Sequence, residues 1–264
     1  MRKIITGICA FTLILGACAK PAEATIESDI NTCVYEESID YMELMMQCAA
    51  AGDINGLKTA VDSRNEKIQS MGLNYPMVSV EEFLKDFNSQ VGFDSNRDYM
   101  ADMMRCCLTG NFTDGTAAAK ARNKKIEYLG LNIPKANFED MYLVSKIITA
   151  EAGSYWLSMD WKMTIGEVLL NRVSSPEFPN SVAECIYQPG QYYGRNDRYF
   201  AGLVPYETCV IAASRLMNGE RIIGNPSVVF QANFPQGGGV CVTLRDRLLG
   251  TTYLCYTNHP ELYR

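Results

Sequence analysis

The sequence predicts an α+β protein that is mainly helical. Up to about residue 217, apolar residues recur at helical spacing between glycine and asparagine stops. Strand-like alternation begins only afterwards, in Ser227–Ala232, Val240–Leu244 and Thr252–Tyr256. Helices first and strands later are typical of an α+β domain. A hydrophobic fraction of 47% and a charged fraction of 20% are those of an ordinary globular protein, and 264 residues suffice for a medium domain with a smaller one.

The N-terminal segment has the features of an export signal. A short basic start precedes an apolar run, Ile4–Leu15, which is too short to span a bilayer comfortably but suits a signal-peptide core. The run ends in Leu15-Gly16-Ala17-Cys18, which resembles a bacterial lipobox. We therefore expect residues 1–18 to be a lipoprotein-type signal peptide and Cys18 to carry the lipid that anchors the protein to the membrane.

An ordinary secretory signal is the alternative, with cleavage after Ala19 or Ala24. Either alternative predicts an exported protein. The small, polar residues 19–34 then form a tether between the membrane and the folded part. The net charge of −6 argues against electrostatic binding to nucleic acid or to anionic lipid.

The cysteines permit disulfides but do not define them. Of the ten, Cys9 leaves with the signal and Cys18 would be lipidated, so eight remain. An exported chain with an even number of cysteines is compatible with disulfide bonds. Cys241 and Cys255 are the best local pair, because they lie in two strand-like runs that could face each other. Buried free thiols are the alternative.

An ungapped internal repeat precedes the C-terminal domain. Asp40-Tyr41-Met42 recurs as Asp98-Tyr99-Met100, and Arg64-Asn65 recurs as Arg122-Asn123, 58 positions further on. Within residues 35–136 we therefore predict two helical units, unit 1 at about residues 40–76 and unit 2 at about residues 98–134. Each unit should be a pair of helices with a glycine turn, at Gly52 or Gly110.

Residues 137–264 are predicted to form a second domain. Its helices are expected at Met141–Ala152, from a cap at Ser158 or Asp160 to Val173, at about Ser181–Tyr187 and at about Pro205–Met217. We expect Trp156 and Trp161 to be core residues.

The sequence lacks the residues for most other catalytic mechanisms, which leaves catalysis by carboxyl groups. The one histidine, His259, lies in a polar tail before a proline and is expected at the surface. A zinc site or a histidine-activated nucleophile therefore has no imidazole to use. The sequence has no P-loop, no dinucleotide glycine fingerprint and no nucleophile elbow. We expect no metal and no cofactor. Glu151, at the end of an apolar helical run, is placed where a carboxyl group can stay protonated and act as a general acid.

Four motifs stand out over roughly residues 140–256: Ala150-Glu151-Ala152, Val168–Val173, Ser175–Asn180 and Tyr187–Tyr192. In their order and spacing they resemble the SleB-type cell-wall hydrolases, the family of spore cortex-lytic enzymes.

The resemblance implies a lysozyme-like, mainly helical fold without metal. It also implies cleavage of the β-1,4 bond between N-acetylmuramic acid and N-acetylglucosamine in peptidoglycan, typically as a lytic transglycosylase, with Glu151 as the catalytic glutamate. The family often has Ala-Arg-Gly-Glu after this residue, whereas Ala152-Gly153-Ser154-Tyr155 follows here. A role in spore germination is not implied, since the repeat and the lipobox are not usual in cortex-lytic enzymes.

Peptidoglycan glycan strands are thus the expected partner, and the oligomeric state is left open. Arg172 is expected to be structural. Asn171 would orient the acid or hold a loop. Gln231 and Asn233 would face the cleft or occupy ladder positions. The expected substrate-binding residues are Gln188, Gln191, Tyr192, Asn171, Gln231 and Asn233, with Tyr193 beside them.

Two alternatives to a transglycosylase stay open. A muramidase-type hydrolase would want a second carboxylate across the cleft, for which Asp160, Asp197 and Glu207 are the candidates. A non-catalytic wall-binding protein would leave Glu151 idle. The two helical units either bind or position the wall, or serve as a spacer.

Overall fold

The computed structural model describes residues 39–194 and 196–263, and the chain there is mainly helical with one small sheet. The predicted signal peptide, Cys18 and the tether lie outside the described residues. Within the described ranges no helix is both long and apolar enough to cross a membrane. The helices are α1 (Tyr41–Ala51), α2 (Ile54–Ser70), α3 (Val80–Val91), α4 (Tyr99–Thr109), α5 (Phe112–Leu129), α6 (Phe138–Ala152), α7 (Met159–Ser174), α8 (Val182–Tyr187), α9 (Arg198–Gly202) and α10 (Glu207–Met217). The strands are β1 (Val228–Ala232), β2 (Val240–Asp246) and β3 (Gly250–Tyr256), followed by a 3₁₀ turn at Pro260–Tyr263.

The first helices of units 1 and 2 begin and end with the same capping interactions. The carboxylates of Asp40 and Asp98 accept backbone N–H groups at the starts of α1 and α4. Both helices end at a left-handed glycine, Gly52 with φ 72° and Gly110 with φ 66°. Glycine adopts this conformation without the cost that a side chain would add.

A third helix follows each pair, and the sequence prediction missed the first of these, α3. The Asn65 side chain exchanges two hydrogen bonds with the backbone of Val78, and Asn123 does the same with Ala136. The next helices, α3 and α6, start 58 positions apart. The equivalence therefore extends beyond residues 76 and 134, and α6 follows unit 2 as α3 follows unit 1.

The apolar residues form two cores. A small core joins α1, α2 and α3 through residues such as Met45, Leu57 and Phe87. The large core includes Met103 of α4 and Met141 of α6, and it continues through α7, α10 and the sheet. Unit 2 therefore shares its core with the C-terminal helices, and the packing does not divide at residue 136.

Helices α6, α7 and α10 pack closely around Gly166. A Cβ atom at this position would lie 2.6 Å from Cδ1 of Leu216 and 2.8 Å from Cδ1 of Ile148. Both distances are shorter than packed carbon atoms allow, so the absence of a side chain lets α7 approach its neighbours.

The sheet is antiparallel, with β3 between β1 and β2. All three predicted strands are confirmed, and β2 and β3 each extend two residues further than predicted. The predicted Cys241–Cys255 disulfide is wrong, since both are free thiols, as are the other cysteines of the described ranges. Cys255 is buried in the core, whereas the Cys241 sulfur forms a hydrogen bond with the Tyr256 hydroxyl. Adjacent residues of a strand point to opposite faces, so the two sulfurs lie on different sides of β3.

A fully buried carboxylate holds the loop before the sheet. Glu167 of α7 accepts hydrogen bonds from the backbone N–H groups of Ile222, Ile223 and Gly224, at 2.7, 2.9 and 2.8 Å. Three charge-assisted bonds offset the cost of burying the carboxylate. The segment that enters β1 is thus fixed to α7.

Glu167→Gln should lower the free energy of unfolding by about 2–4 kcal/mol, because its amide NH₂ would face a backbone N–H donor in the interior. Denaturant unfolding measures the change. The control is Glu81→Gln on the exposed surface of α3, which should change this free energy by less than about 0.5 kcal/mol. Equal effects of the two substitutions would contradict the role given to Glu167.

Candidate active site

Glu151 lies at the end of α6, beside an open cleft. Most residues before it in the helix are buried, whereas Glu151 itself reaches solvent. The cleft has a volume of about 510 Å³. Its walls come from the end of α6, the loop that follows it, the start of α10 and the β2–β3 turn: Thr149, Ala150, Glu151, Gly153, Ser154, Tyr155, Tyr206, Glu207, Thr208 and Leu249.

Two side chains from other elements bond to the Glu151 carboxyl group. The Tyr193 hydroxyl donates to Oε1 at 3.1 Å, and Nε2 of Gln231 donates to Oε2 at 3.3 Å. Tyr193 follows α8 and Gln231 lies on β1, so three separate parts of the chain meet at this carboxyl group. The Tyr193 ring stacks on Phe200 at 4.7 Å, which fixes the hydroxyl.

The surroundings of Glu151 favour its protonated form. Surrounding protein removes water from the carboxyl group and raises the pKa of Glu151 above its ordinary value. The hydrogen bond from Tyr193 and the positive charge of Arg172 act in the opposite direction, and their effects are smaller. The group can therefore hold a proton at a higher pH than an ordinary glutamate while remaining accessible from the cleft.

Arg172 organises the side of the site formed by β1 and the turn after α8. Its Nε donates to the Val229 carbonyl at 2.6 Å and its Nη1 donates to Oε1 of Gln191 at 3.0 Å. The guanidinium also lies 4.8 Å from the Tyr192 ring centroid and 5.1 Å from that of Phe178. Arg172 is buried, as a structural role requires, and it fixes two of the predicted substrate-binding residues.

Three buried oxygens near this turn have no hydrogen-bond partner in the described part of the chain. They are Oε1 of Gln188, the hydroxyl oxygen of Tyr192 and Oε1 of Gln231. Buried polar atoms are normally paired, because an unpaired one costs about 1–3 kcal/mol. Buried oxygens of this kind are places where an ordered water molecule can supply the missing hydrogen bond.

Residues 158–234 match a family model described as Cell Wall Hydrolase. The match covers 77 of the 264 residues, and the part of the chain that contains it, residues 137–264, is consistent with a SleB-like cell-wall hydrolase domain. The match runs from the cap of α7 past the end of β1, so it includes Arg172, Gln188 and Gln231, and it starts seven positions after Glu151. Searches of the curated proteins and of the solved structures found no match. The family points to the bacterial cell wall, and hence to peptidoglycan, as the substrate.

None of the six predicted binding residues is among the residues that line the cleft, although Gln231 donates a hydrogen bond to Glu151. Asn171 is buried, and its amide donates to the carbonyls of Asn225 and Val228, each at 3.0 Å. It therefore holds the loop that enters β1, one of the two roles considered for it, and does not face the cleft. Asn233 is exposed just beyond the end of β1 and does not line the cleft around Glu151.

Of the candidate second carboxylates, Glu207 lines the cleft together with Glu151. Asp197 caps α9 by accepting the Phe200 N–H, and Asp160 lies in the first turn of α7. Neither Asp197 nor Asp160 lines this cleft. Of the three candidates, Glu207 is thus the one that shares a cleft with Glu151.

The prediction that both tryptophans are core residues is wrong for Trp156. Trp161 packs against the core, whereas Trp156 is 46% exposed. The indole N–H of Trp156 donates to Asp246 at 3.2 Å, which connects the loop after α6 to the β2–β3 hairpin. Tyr155, 88% exposed and edge-on to Trp156, and Tyr206 are cleft residues that sequence reasoning missed. The only sequence signal for these two tyrosines is that Tyr155 follows Glu151 by four positions and that Tyr206 directly precedes Glu207. The predicted surface position of His259 is confirmed, since its side chain is exposed.

Tyr193→Phe should shift the alkaline limb of activity to higher pH. The substitution removes a hydrogen bond that lowers the pKa of Glu151, so the pKa rises and the proton is retained further up the pH scale. The pH profile of kcat/KM on purified peptidoglycan measures the shift. Tyr199→Phe is the control, because Tyr199 contacts the Tyr193 ring without bonding to Glu151. A limb that stays in place or moves to lower pH would contradict the assignment.

Proposed function

We propose that the protein is an exported enzyme that cleaves the β-1,4 bond between N-acetylmuramic acid and N-acetylglucosamine, acting as a lytic transglycosylase with Glu151 as general acid and base. The observation that carries the proposal is the Glu151 carboxyl group itself. It is accessible from a cleft, its pKa is raised by desolvation, and Tyr193 and Gln231 hold both of its oxygens. The cell wall hydrolase match supplies the substrate class.

In the first step the protonated Glu151 donates its proton to the bridging glycosidic oxygen. The bond between that oxygen and C1 of N-acetylmuramic acid breaks, and its electron pair leaves with the N-acetylglucosamine oxygen. The developing positive charge at C1 is oxocarbenium-like. Tyr193 and Gln231 then donate to the new carboxylate, and the positive charge of Arg172 stabilises it further.

In the second step the C6 hydroxyl oxygen of the same sugar attacks C1. Its proton passes to the Glu151 carboxylate, and a 1,6-anhydro ring closes. The acid is regenerated and no water is consumed. One carboxyl group therefore suffices, which fits a site in which Glu151 is held from both sides.

Hydrolysis is the second candidate, and Glu207 is the observation that favours it. Glu207 lines the same cleft as Glu151 and starts α10. A carboxylate placed there would activate a water molecule or stabilise the cation at C1. The product would then be a reducing N-acetylmuramic acid end.

Exposed aromatic side chains supply a surface for the sugar rings. Tyr155 and Tyr206 line the cleft and are 88% and 57% exposed. Aromatic faces of this kind pack against the apolar faces of sugars. Lipidation of Cys18 would hold this cleft close to the wall.

Glu151→Gln should reduce release of soluble fragments from purified peptidoglycan by about 10²–10⁴-fold, since general acid–base catalysis contributes that much. Mass spectrometry of the products identifies the reaction. Anhydro-muropeptides from the wild type are the expected result. No release by the wild type from several wall types would contradict enzymatic activity and favour a wall-binding protein.

Glu207→Gln separates the two reactions. A transglycosylase should keep its activity within about threefold, because the second carboxylate takes no part in its chemistry. A hydrolase should lose about 10²-fold or more. Reducing N-acetylmuramic acid ends in the wild-type digest, together with such a loss, would replace the transglycosylase proposal by hydrolysis.

A further inference from the structure

Units 1 and 2 carry equivalent surface pockets. The unit 1 pocket has a volume of about 420 Å³ and the unit 2 pocket about 300 Å³. Each of the nine residues around the first pocket has its counterpart 58 positions later around the second. The first set is Ile39, Asp40, Tyr41, Met42, Arg64, Lys67, Ile68, Leu73 and Tyr75. The second is Arg97, Asp98, Tyr99, Met100, Arg122, Lys125, Ile126, Leu131 and Ile133.

In unit 2 the arginine of the pocket binds a group from the hydrolase domain. Arg122 donates through Nη1 to the Pro134 carbonyl at 3.0 Å and through Nη2 to Oδ1 of Asn218 at 2.7 Å. Asn218 is the residue that ends α10, and it is the one pocket-lining residue contributed by the hydrolase domain. The second pocket thus already contains a bound amide oxygen.

In unit 1 the arginine is held in the same way, but the second contact differs. Arg64 donates through Nη1 to the Pro76 carbonyl at 3.1 Å, which matches the Arg122 bond to Pro134. No residue of the described ranges accepts a hydrogen bond from Nη2 of Arg64. Arg64 is half-buried, whereas Arg122 is buried beneath the hydrolase domain. Within residues 39–194 and 196–263, the first pocket therefore has the donor of the second pocket without its acceptor.

The walls of the unit 1 pocket also suit a ligand. Met42 is 41% exposed and Tyr75 is 65% exposed, and both stand beside Arg64. Met100, the counterpart of Met42, packs against the large core. The unit 1 pocket thus combines a guanidinium edge, which suits a carboxylate, with uncovered apolar surface, a combination common in ligand pockets.

We propose that the unit 1 pocket binds the stem peptide of peptidoglycan, with its terminal carboxylate on Nη2 of Arg64 in the place that Asn218 takes in unit 2. The identity of the peptide rests on the proposed function. A carboxylate is a stronger acceptor for a guanidinium than the amide oxygen of Asn218. Small alanine side chains fit against Met42, Leu73 and Tyr75, and the pocket volume admits only a few residues. Unit 1 would thereby hold the wall while the hydrolase cleft acts on the glycan.

The test uses the mature chain carrying Glu151→Gln, so that no wall is cleaved. Its probe is a synthetic stem peptide with a free C-terminal carboxylate, and calorimetry measures Kd. Arg64→Gln should weaken binding about tenfold or more, because the charged hydrogen bond to the peptide carboxylate is lost. C-terminal amidation of the peptide should also weaken binding. Lys58→Gln, an exposed substitution on the same helix, should leave Kd unchanged.

A second variant covers the case in which Arg64→Gln disturbs folding. Tyr75→Ala removes an exposed ring and should weaken binding several-fold without unfolding unit 1. No peptide binding, or equal binding by wild type, Arg64→Gln and Tyr75→Ala, overturns the inference. Turnover of purified glycan by the Glu151-containing protein is measured separately. Turnover without peptide binding sinks only this inference, whereas peptide binding without turnover sinks the proposed function and leaves the pocket assignment standing.

Discussion

The site depends on one buried guanidinium. Arg172 lies inside the hydrolase domain, where an unpaired charge would cost several kcal/mol. The Val229 carbonyl and Gln191 accept its hydrogen bonds, and the rings of Phe178 and Tyr192 lie against it. These hydrogen bonds and ring contacts fix β1 and the turn after α8 relative to α7. The same charge acts on the carboxyl group that faces the cleft, so the packing requirement and the electrostatics of the site have a common origin.

Opposing influences on Glu151 suit a group that must give up a proton and then take one back. Desolvation raises the pKa of Glu151 and so favours the protonated carboxyl group, whereas the Tyr193 hydroxyl and the Arg172 charge stabilise the carboxylate once it forms. A strongly acidic group would hold no proton to donate, and a wholly desolvated one would resist ionisation. The balance depends on residues from α6, the segment after α8 and β1, of which α6 follows directly on unit 2.

Sequence patterns predicted the features that local chemistry determines. Apolar periodicity and caps located most helices and all three strands, and the motif around Glu151 placed this residue at the end of α6, next to a cleft. Features that depend on tertiary packing were not predictable. A strand sequence does not show which face Cys241 and Cys255 use, and helical spacing does not tell a core tryptophan from the half-exposed Trp156. The burial of Asn171 depends on a loop more than 50 residues away. A capping box formed by Ser79 and Glu82 marks the start of α3, so this helix was predictable from the sequence.

The most direct test of this account is the pKa of Glu151 itself. With ¹³C-labelled glutamate, subtracting the NMR titration of Glu151→Gln from that of the wild type isolates one carboxyl group. The account predicts a midpoint above about 4.3, the value of an unperturbed glutamate, and a further rise in Tyr193→Phe. A midpoint at or below the unperturbed value would contradict it, because the surroundings of Glu151 would then not favour the protonated form that donates to the glycosidic oxygen.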